Sequence, residues 1–192
     1  MDEKNRKAAA LTELYSLYQN CTSCPLANLG RNKIVFGTGN LMSKIMLIGE
    51  GPGEKEDQLG LPFVGRSGNL LTRMLAIAGI NRKDIFITNI VKCRPPHNRK
   101  PTALESTTCK KILLEKQIEI INPDMLCTLG SCSLESLLES KVSITKIRGQ
   151  LLTWNNRHLI PTFHPAYILR NPAMLDYCIE DFLKLQEVVT QN

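Results

Sequence analysis

Four short apolar runs, residues 44–49, 85–91, 125–130 and 158–163, recur along this chain with helix-like segments between them. Strands that follow one another through crossovers run parallel, and a parallel sheet needs helices on both faces. The pattern therefore predicts an α/β fold, a three-layer αβα sandwich around a central, mainly parallel four-stranded sheet. Helices are expected through Leu11, Leu14, Tyr15 and Tyr18, and again over about 68–78, with Leu70, Leu71, Met74, Leu75 and Ala78 on one face and Gly79 as the C-cap. Thr102-Ala103-Leu104-Glu105 reads as a capping box opening a helix that carries Cys109 and stops before Asn122-Pro123. A short helix follows Gly130 through Leu134, Leu137 and Leu138, and a last one runs from Pro172 towards Val189. With 192 residues, no internal repeat, no low-complexity tract and no linker, the chain is expected to form one domain over 1–192.

Parallel strands finish on one rim, and open α/β sheets bind ligands there. At the carboxyl ends of the four runs stand Glu50, Asn89, Gly130 and His164. The first run empties into Gly49-Glu50-Gly51-Pro52-Gly53-Glu54-Lys55-Glu56, a glycine-rich loop with three carboxylates. It has neither G-x-G-x-x-G nor the Walker pattern, which argues against a phosphate cradle. Asn89 lies within an otherwise apolar strand, where an amide without partners would cost about 1–3 kcal/mol. His164 sits between a buried strand and a loop started by Pro165, and Phe63 lies in a Pro62-Phe63-Val64-Gly65 loop that could present its ring.

The formal net charge of +6 allows a polyanionic partner, and the densest basic stretch is Lys92, Arg94, His97, Arg99, Lys100, Lys110 and Lys111. It surrounds Cys93 and Cys109. Together with Cys21-Thr22-Ser23-Cys24 these make four thiols that could meet at one metal centre, and tetrahedral sulfur suits zinc or an iron–sulfur cluster alike. Cys127, Cys132 and Cys178 read as small buried hydrophobes. No run reaches membrane-spanning length and the N-terminus has no apolar signal region, so an intracellular protein is expected.

The ordered set Cys21-x₂-Cys24, Gly49 to Glu54, Pro62-Phe63-Val64-Gly65, Asn89 to Pro96, Cys109 and His164-Pro165 resembles the family 4 uracil-DNA glycosylases, the iron–sulfur branch of the uracil-DNA glycosylase superfamily. The resemblance runs from about Cys21 to the C-terminal helix. It implies a monofunctional glycosylase of base-excision repair that flips uracil out of DNA, hydrolyses its N-glycosidic bond and releases free uracil. It also implies a [4Fe–4S] cluster on Cys21, Cys24, Cys93 and Cys109. Carried onto this chain, Glu50 and His164 become the catalytic residues, and Gly51, Gly53, Glu56, Phe63 and Asn89 the substrate-binding ones, with Glu56 a pocket wall facing where a thymine methyl would project. Arg94, Arg99 and Lys100 become phosphate contacts, and Leu169 and Arg170 belong to a wedge loop over 166–170. The water-orienting aspartate of the best-known branch is matched here by Gly51, which leaves Glu50 as the nearest carboxylate. The histidine by which a related branch traps DNA covalently falls nearer Asn98 than His97, so no covalent adduct is expected. The implied partner is uracil-containing DNA, met by a monomer in the cytoplasm at the nucleoid. A noncatalytic iron–sulfur module that only binds nucleic acid is the competing reading, and the joint presence of Glu50, Phe63, Asn89 and His164 argues against it.

Overall fold

A computed structural model describes residues 2–191. The strands are β1 (Thr38–Gly39), β2 (Ile45–Gly49), β3 (Phe86–Asn89), β4 (Met125–Leu129), β5 (Leu152–Trp154) and β6 (Arg157–Thr162). They form one sheet of order β1-β3-β2-β4-β6-β5. The four inner strands pair in parallel, while β1 and β5 pair antiparallel at the two edges. The expected four-stranded sheet is thus the parallel centre of a six-stranded one. The edge strands were missed because two and three residues are too short to show an alternating pattern, and pairing with the sheet makes them strands.

The helices are α1 (Glu3–Tyr18), α2 (Glu54–Leu59), α3 (Arg66–Ile77), α4 (Ala103–Cys109), α5 (Glu115–Ile121), α6 (Ser131–Leu138), α7 (Ile144–Ile147), α8 (Pro165–Arg170) and α9 (Leu175–Gln191). A π-helical turn, Lys110–Leu114, joins α4 to α5 directly after Cys109. The capping box is present: Thr102 Oγ1 accepts from the Glu105 N–H, and Glu105 Oε2 accepts from the Thr102 N–H. Asn122 turns left-handed at the far end, ahead of Pro123.

Side chains alternate between the two faces of the sheet, as the two-residue period of a strand requires. Met46, Ile48, Phe86, Leu126 and Leu159 pack on one face with Leu11, Leu14, Leu113, Ile118 and Leu134 from the helices. Ile45, Leu47, Ile87, Cys127 and Ile160 pack on the other with Leu71, Met74, Leu75, Phe182 and Leu185. The register sets Gly49 beside Asn89 and Leu129 beside Thr162, so the strand ends share one rim. Pairing continues past β3, since the N–H groups of Ile90 and Val91 donate to the carbonyls of Gly49 and Glu50.

The end of β6 is tied to α9 by a buried polar knot. Asp181, fully buried, accepts from Arg148 Nε at 2.9 Å and from the Thr162 hydroxyl at 2.6 Å. Arg148 also lies against the rings of Phe163 and Tyr177. Asp181→Ala removes the buried partner of Arg148 and leaves it only the exposed Glu180 at 3.6 Å, and breaking a buried pair from one side typically costs about 3–5 kcal/mol. Denaturant unfolding should show a loss of that order, and a loss under about 1 kcal/mol would mean that this knot is not what closes β6 onto α9.

Candidate active site

The rim of the sheet holds three groups with complementary chemistry. Asn89, at the end of β3, is 1% exposed, and its Oδ1 has no hydrogen-bond partner among the described residues. Beneath it, the buried Lys92 ammonium donates to the Asn89 carbonyl at 2.7 Å and to the Thr88 hydroxyl at 2.5 Å. Lys92 was counted with the basic stretch, but it faces inward, and burial pulls its pKa down to about 7. The Asn89 main chain is therefore held while its side-chain oxygen is left for something else.

Gly49 explains what has room to approach. A Cβ built on it would lie 2.3 Å from Asn89 Oδ1 and 2.6 Å from Phe63 Cζ. Only a residue without a side chain lets the amide and the ring share this edge. Gly130 has the same role on the next strand, where a Cβ would come within 2.9 Å of His164 Cβ. Phe63 is buried and sits at φ 53°, a left-handed conformation that costs a bulky residue of order 1–3 kcal/mol. Its loop is gripped from both sides. Glu56 Oε1 accepts from the N–H groups of Val64 and Gly65 at 2.8 and 2.7 Å, and Arg82 donates to the carbonyls of Pro62 and Phe63. Glu56, expected as a pocket wall, thus braces the loop that carries the ring.

His164 caps the N-terminus of α8: its Nδ1 accepts from the Ala166 N–H at 3.1 Å. A main-chain N–H can only donate, so Nδ1 is the unprotonated nitrogen and Nε2 carries the hydrogen. Burial lowers the His164 pKa to about 4, the charge of Arg170 adds to the effect and Glu56 opposes it. The imidazole is neutral at physiological pH, with Nε2–H as a donor, and its ring centroid lies 5.7 Å from that of Phe63.

Glu50 follows β2 and is half-buried, and burial raises its pKa. It accepts a hydrogen bond from the Cys132 thiol, and the nearby Lys100 charge favours its ionised form. Cys132 does not behave as the small buried hydrophobe its sequence context suggests. It is instead partly exposed on the first turn of α6 beside this carboxylate, a placement that sequence periodicity does not reveal. Gly51 abuts Val91, whose Cγ2 would be 2.8 Å from a Cβ there. Gly53 caps α2, with a built Cβ 2.8 Å from Glu56 Oε2.

The basic residues divide. Lys110 is buried against Glu139 and the Ser136 carbonyl. Arg99 is exposed but makes a two-pronged pair with the buried Glu105, so its first partner is protein and not a phosphate. Arg94 bonds Asn98 Oδ1 and reaches Glu54, while Lys100 is exposed. Residues 166–170, expected as a loop, lie within the short helix α8, and Leu169 and Arg170 are exposed in its last turn.

Cys21, Cys24, Cys93 and Cys109 come together on the other side of β3, packed with Leu11, Leu14 and Leu26, and none is in a disulfide. Among the described residues, no three His, Cys, Asp or Glu side chains close tightly enough to hold a single metal ion. Burial raises the pKa of Cys24 and Cys93, and that of Cys109 to about 12, while Arg31 bonds Cys93 Sγ at 3.1 Å. Thiolates in such a place need a bound cationic centre to hold them ionised, and four sulfurs with no oxygen or nitrogen ligand suit a soft metal.

An unpaired amide oxygen, a buried aromatic ring and a neutral imidazole at the carboxyl rim of an αβα fold suit a flat heterocycle with its own donors and acceptors. The family model of the uracil DNA glycosylase superfamily matches residues 36–186. A type-4 uracil-DNA glycosylase of Thermotoga maritima is 53% identical over 178 residues, 91% of this chain and 92% of that protein. Type-4 enzymes of Saccharolobus solfataricus and Sulfurisphaera tokodaii are each 43% identical, over 91% and 88% of this chain and 84% and 80% of their own. The chain belongs to the uracil-DNA glycosylase superfamily.

The imidazole assignment is open to direct measurement, because the chain has only three histidines. Nitrogen-15 NMR should place one of them, lost in His164→Ala, in the Nε2–H form without titration between pH 5.5 and 8, where an ordinary histidine titrates near about 6.5. The unfolded chain protonates this group near 6.5 and the folded one only near 4. Its contribution to stability is therefore full above about 6.5, falls as pH drops through that window and changes no further below about 4. Titration of His164 near 6.5 would overturn the assignment.

Proposed function

We propose that this protein flips uracil out of DNA and hydrolyses its N-glycosidic bond, leaving an abasic site and free uracil. The observation that carries the reading is the buried Asn89 Oδ1 without a partner, set beside Phe63 where only Gly49 leaves space. Uracil offers N3–H to that oxygen and O4 to the same amide's N–H₂, whereas cytosine presents the reverse pattern. A site built for specific hydrogen bonds rejects the wrong partner by roughly 10⁴–10⁵, because its own polar groups are left unpaired. Phe63 stacks on the flipped ring.

Bond cleavage leaves negative charge on the uracil and positive character on the sugar. The Nε2–H of His164 donates to uracil O2 as that charge grows. A neutral donor fixed by the helix cap needs no reorganisation during the step, and loss of one such donor typically costs about 10²–10³ in rate. Glu50, whose pKa burial raises while the Cys132 thiol and the Lys100 charge favour its ionised form, orients water and faces the cationic sugar as a carboxylate. Gly51 and Gly53 let the main chain approach the base, and Glu56 acts through the Phe63 loop.

Lys100, Arg94 and Arg170 face the phosphates, Arg99 stiffens the basic loop through Glu105, and Leu169 enters the space left by the flipped base. Cys21, Cys24, Cys93 and Cys109 would hold a [4Fe–4S] cluster, which would supply a structural tie between the segment after α1, the loop after β3 and the end of α4 and no chemistry for cutting the bond. The enzyme works on DNA inside the cell, as one domain and as a monomer.

Incubation with uracil-containing DNA followed by alkali should give strand breaks at uracil. Asn89→Asp should lose this activity by orders of magnitude and gain weak cytosine excision, because a protonated Asp can donate to N3 and accept from the exocyclic amine of cytosine. Asn89→Ala should lose uracil activity without the gain. Binding without breaks would favour the noncatalytic module, and full uracil activity in both variants would remove Asn89 from the site.

The purified protein should be brown, with broad absorbance near about 400 nm. Replacing any one of the four cysteines with Ser should weaken retention of iron, read by metal analysis. A colourless, active protein with stoichiometric zinc would refute the cluster.

A further inference from the structure

Arg82 is one of the 24 Lys and Arg residues of a basic protein and lies outside its densest basic stretch. Its surroundings give it a structural task. It stands in the turn between α3 and β3, half-buried, and its guanidinium is aimed at the loop that carries Phe63. Nη2 donates to the carbonyls of Pro62 and Phe63 at 3.0 and 2.9 Å. Nη1 donates to the Gly68 carbonyl at 3.2 Å and to the Thr72 hydroxyl at 2.8 Å. Each terminal nitrogen has two N–H groups, and all four are committed to protein oxygens.

The other side of the loop is closed as tightly. The Phe63 carbonyl lies 1.9 Å from where a Cβ on Gly68 would stand, so α3 backs directly onto it. Glu56 holds the next two N–H groups. Phe63, the residue in left-handed φ, lies between these restraints with its carbonyl on Arg82.

We propose that Arg82 is a positioning residue for base recognition: by binding the Pro62 and Phe63 carbonyls it fixes the height and tilt of the Phe63 ring, and so sets affinity for the uracil base without touching DNA. The inference rests on the stacking role given to Phe63. A planar fork that reaches two successive carbonyls and the start of α3 together is a task for which lysine, with one nitrogen, is a partial substitute.

The test is the affinity for free uracil, measured by calorimetry on the cluster-loaded protein for wild type, R82M, R82K, F63A and F63A/R82M, alongside the salt dependence of abasic-DNA binding. R82M should weaken uracil binding about tenfold, the scale of one stacked base, and R82K should fall between R82M and wild type. R82M should add nothing in the F63A background, because two residues acting through one contact are not additive. The salt slope should stay at the wild-type value in every Arg82 variant, whereas loss of a phosphate contact lowers it by about one unit. If R82M does not fold, R82K carries the test: weaker uracil binding at an unchanged slope supports the inference, and unchanged uracil binding overturns it. Additive losses in the double variant, or a lowered slope, would also overturn it. Unchanged uracil affinity in F63A would refute the stacking role and this inference with it, whereas loss in F63A but not in R82M would refute this inference alone.

Discussion

A buried amide oxygen with no partner is a standing cost to the folded state, of about 1–3 kcal/mol, and the rim of this sheet is arranged around one. Asn89 keeps it because the groups that would normally satisfy it are directed elsewhere. Its main chain is locked by parallel pairing with β2 and by the Lys92 ammonium, and its neighbour on the sheet is a glycine that contributes no side chain. Among the described residues no donor reaches this oxygen, and on the function proposed above a ligand that brings an N–H gains what folding forgoes. Phe63 and His164 then limit which ligand, one by offering a flat apolar face and the other by offering a hydrogen and no charge.

The remaining architecture divides between holding and charging this pocket. Glu56, Arg82 and Gly68 keep an aromatic residue in a backbone conformation it would not choose, which ties affinity to a strained loop. The helix cap at His164 serves two ends at once, satisfying the start of α8 and selecting the tautomer that donates from Nε2. On the far side of β3, the four cysteines lie in one apolar cluster, and Lys92 has its side chain under Asn89 and a thiol of that set as its next neighbour.

Much of this was legible in the residue order because it follows from periodicity and from end positions. Runs of branched apolar residues gave the inner strands to within a residue or two, and polar residues at their ends gave Glu50, Asn89 and His164. The Thr102 to Glu105 spacing gave the helix start. What could not be read depends on neighbours distant in sequence. The edge strands exist only through pairing, and Lys92, Lys110 and Arg99 look like surface charge until the fold buries them or hands them a carboxylate. Cys132 and Arg82 carry no motif, and their roles come from Glu50 and the Phe63 loop standing next to them. The segment after His164 reads as a loop because Pro165 suggests a break, yet proline is at ease in the first turn of a helix.

The central claim is that the unpaired oxygen of Asn89 is the acceptor for the N3–H of uracil. A crystal structure of the protein with free uracil bound tests it most directly. The account predicts Asn89 Oδ1 within about 3.2 Å of N3, the base stacked on Phe63, and His164 Nε2 at hydrogen-bond distance from O2. Uracil bound elsewhere on the molecule, or seated in the pocket with Asn89 Oδ1 still unpaired, would contradict it.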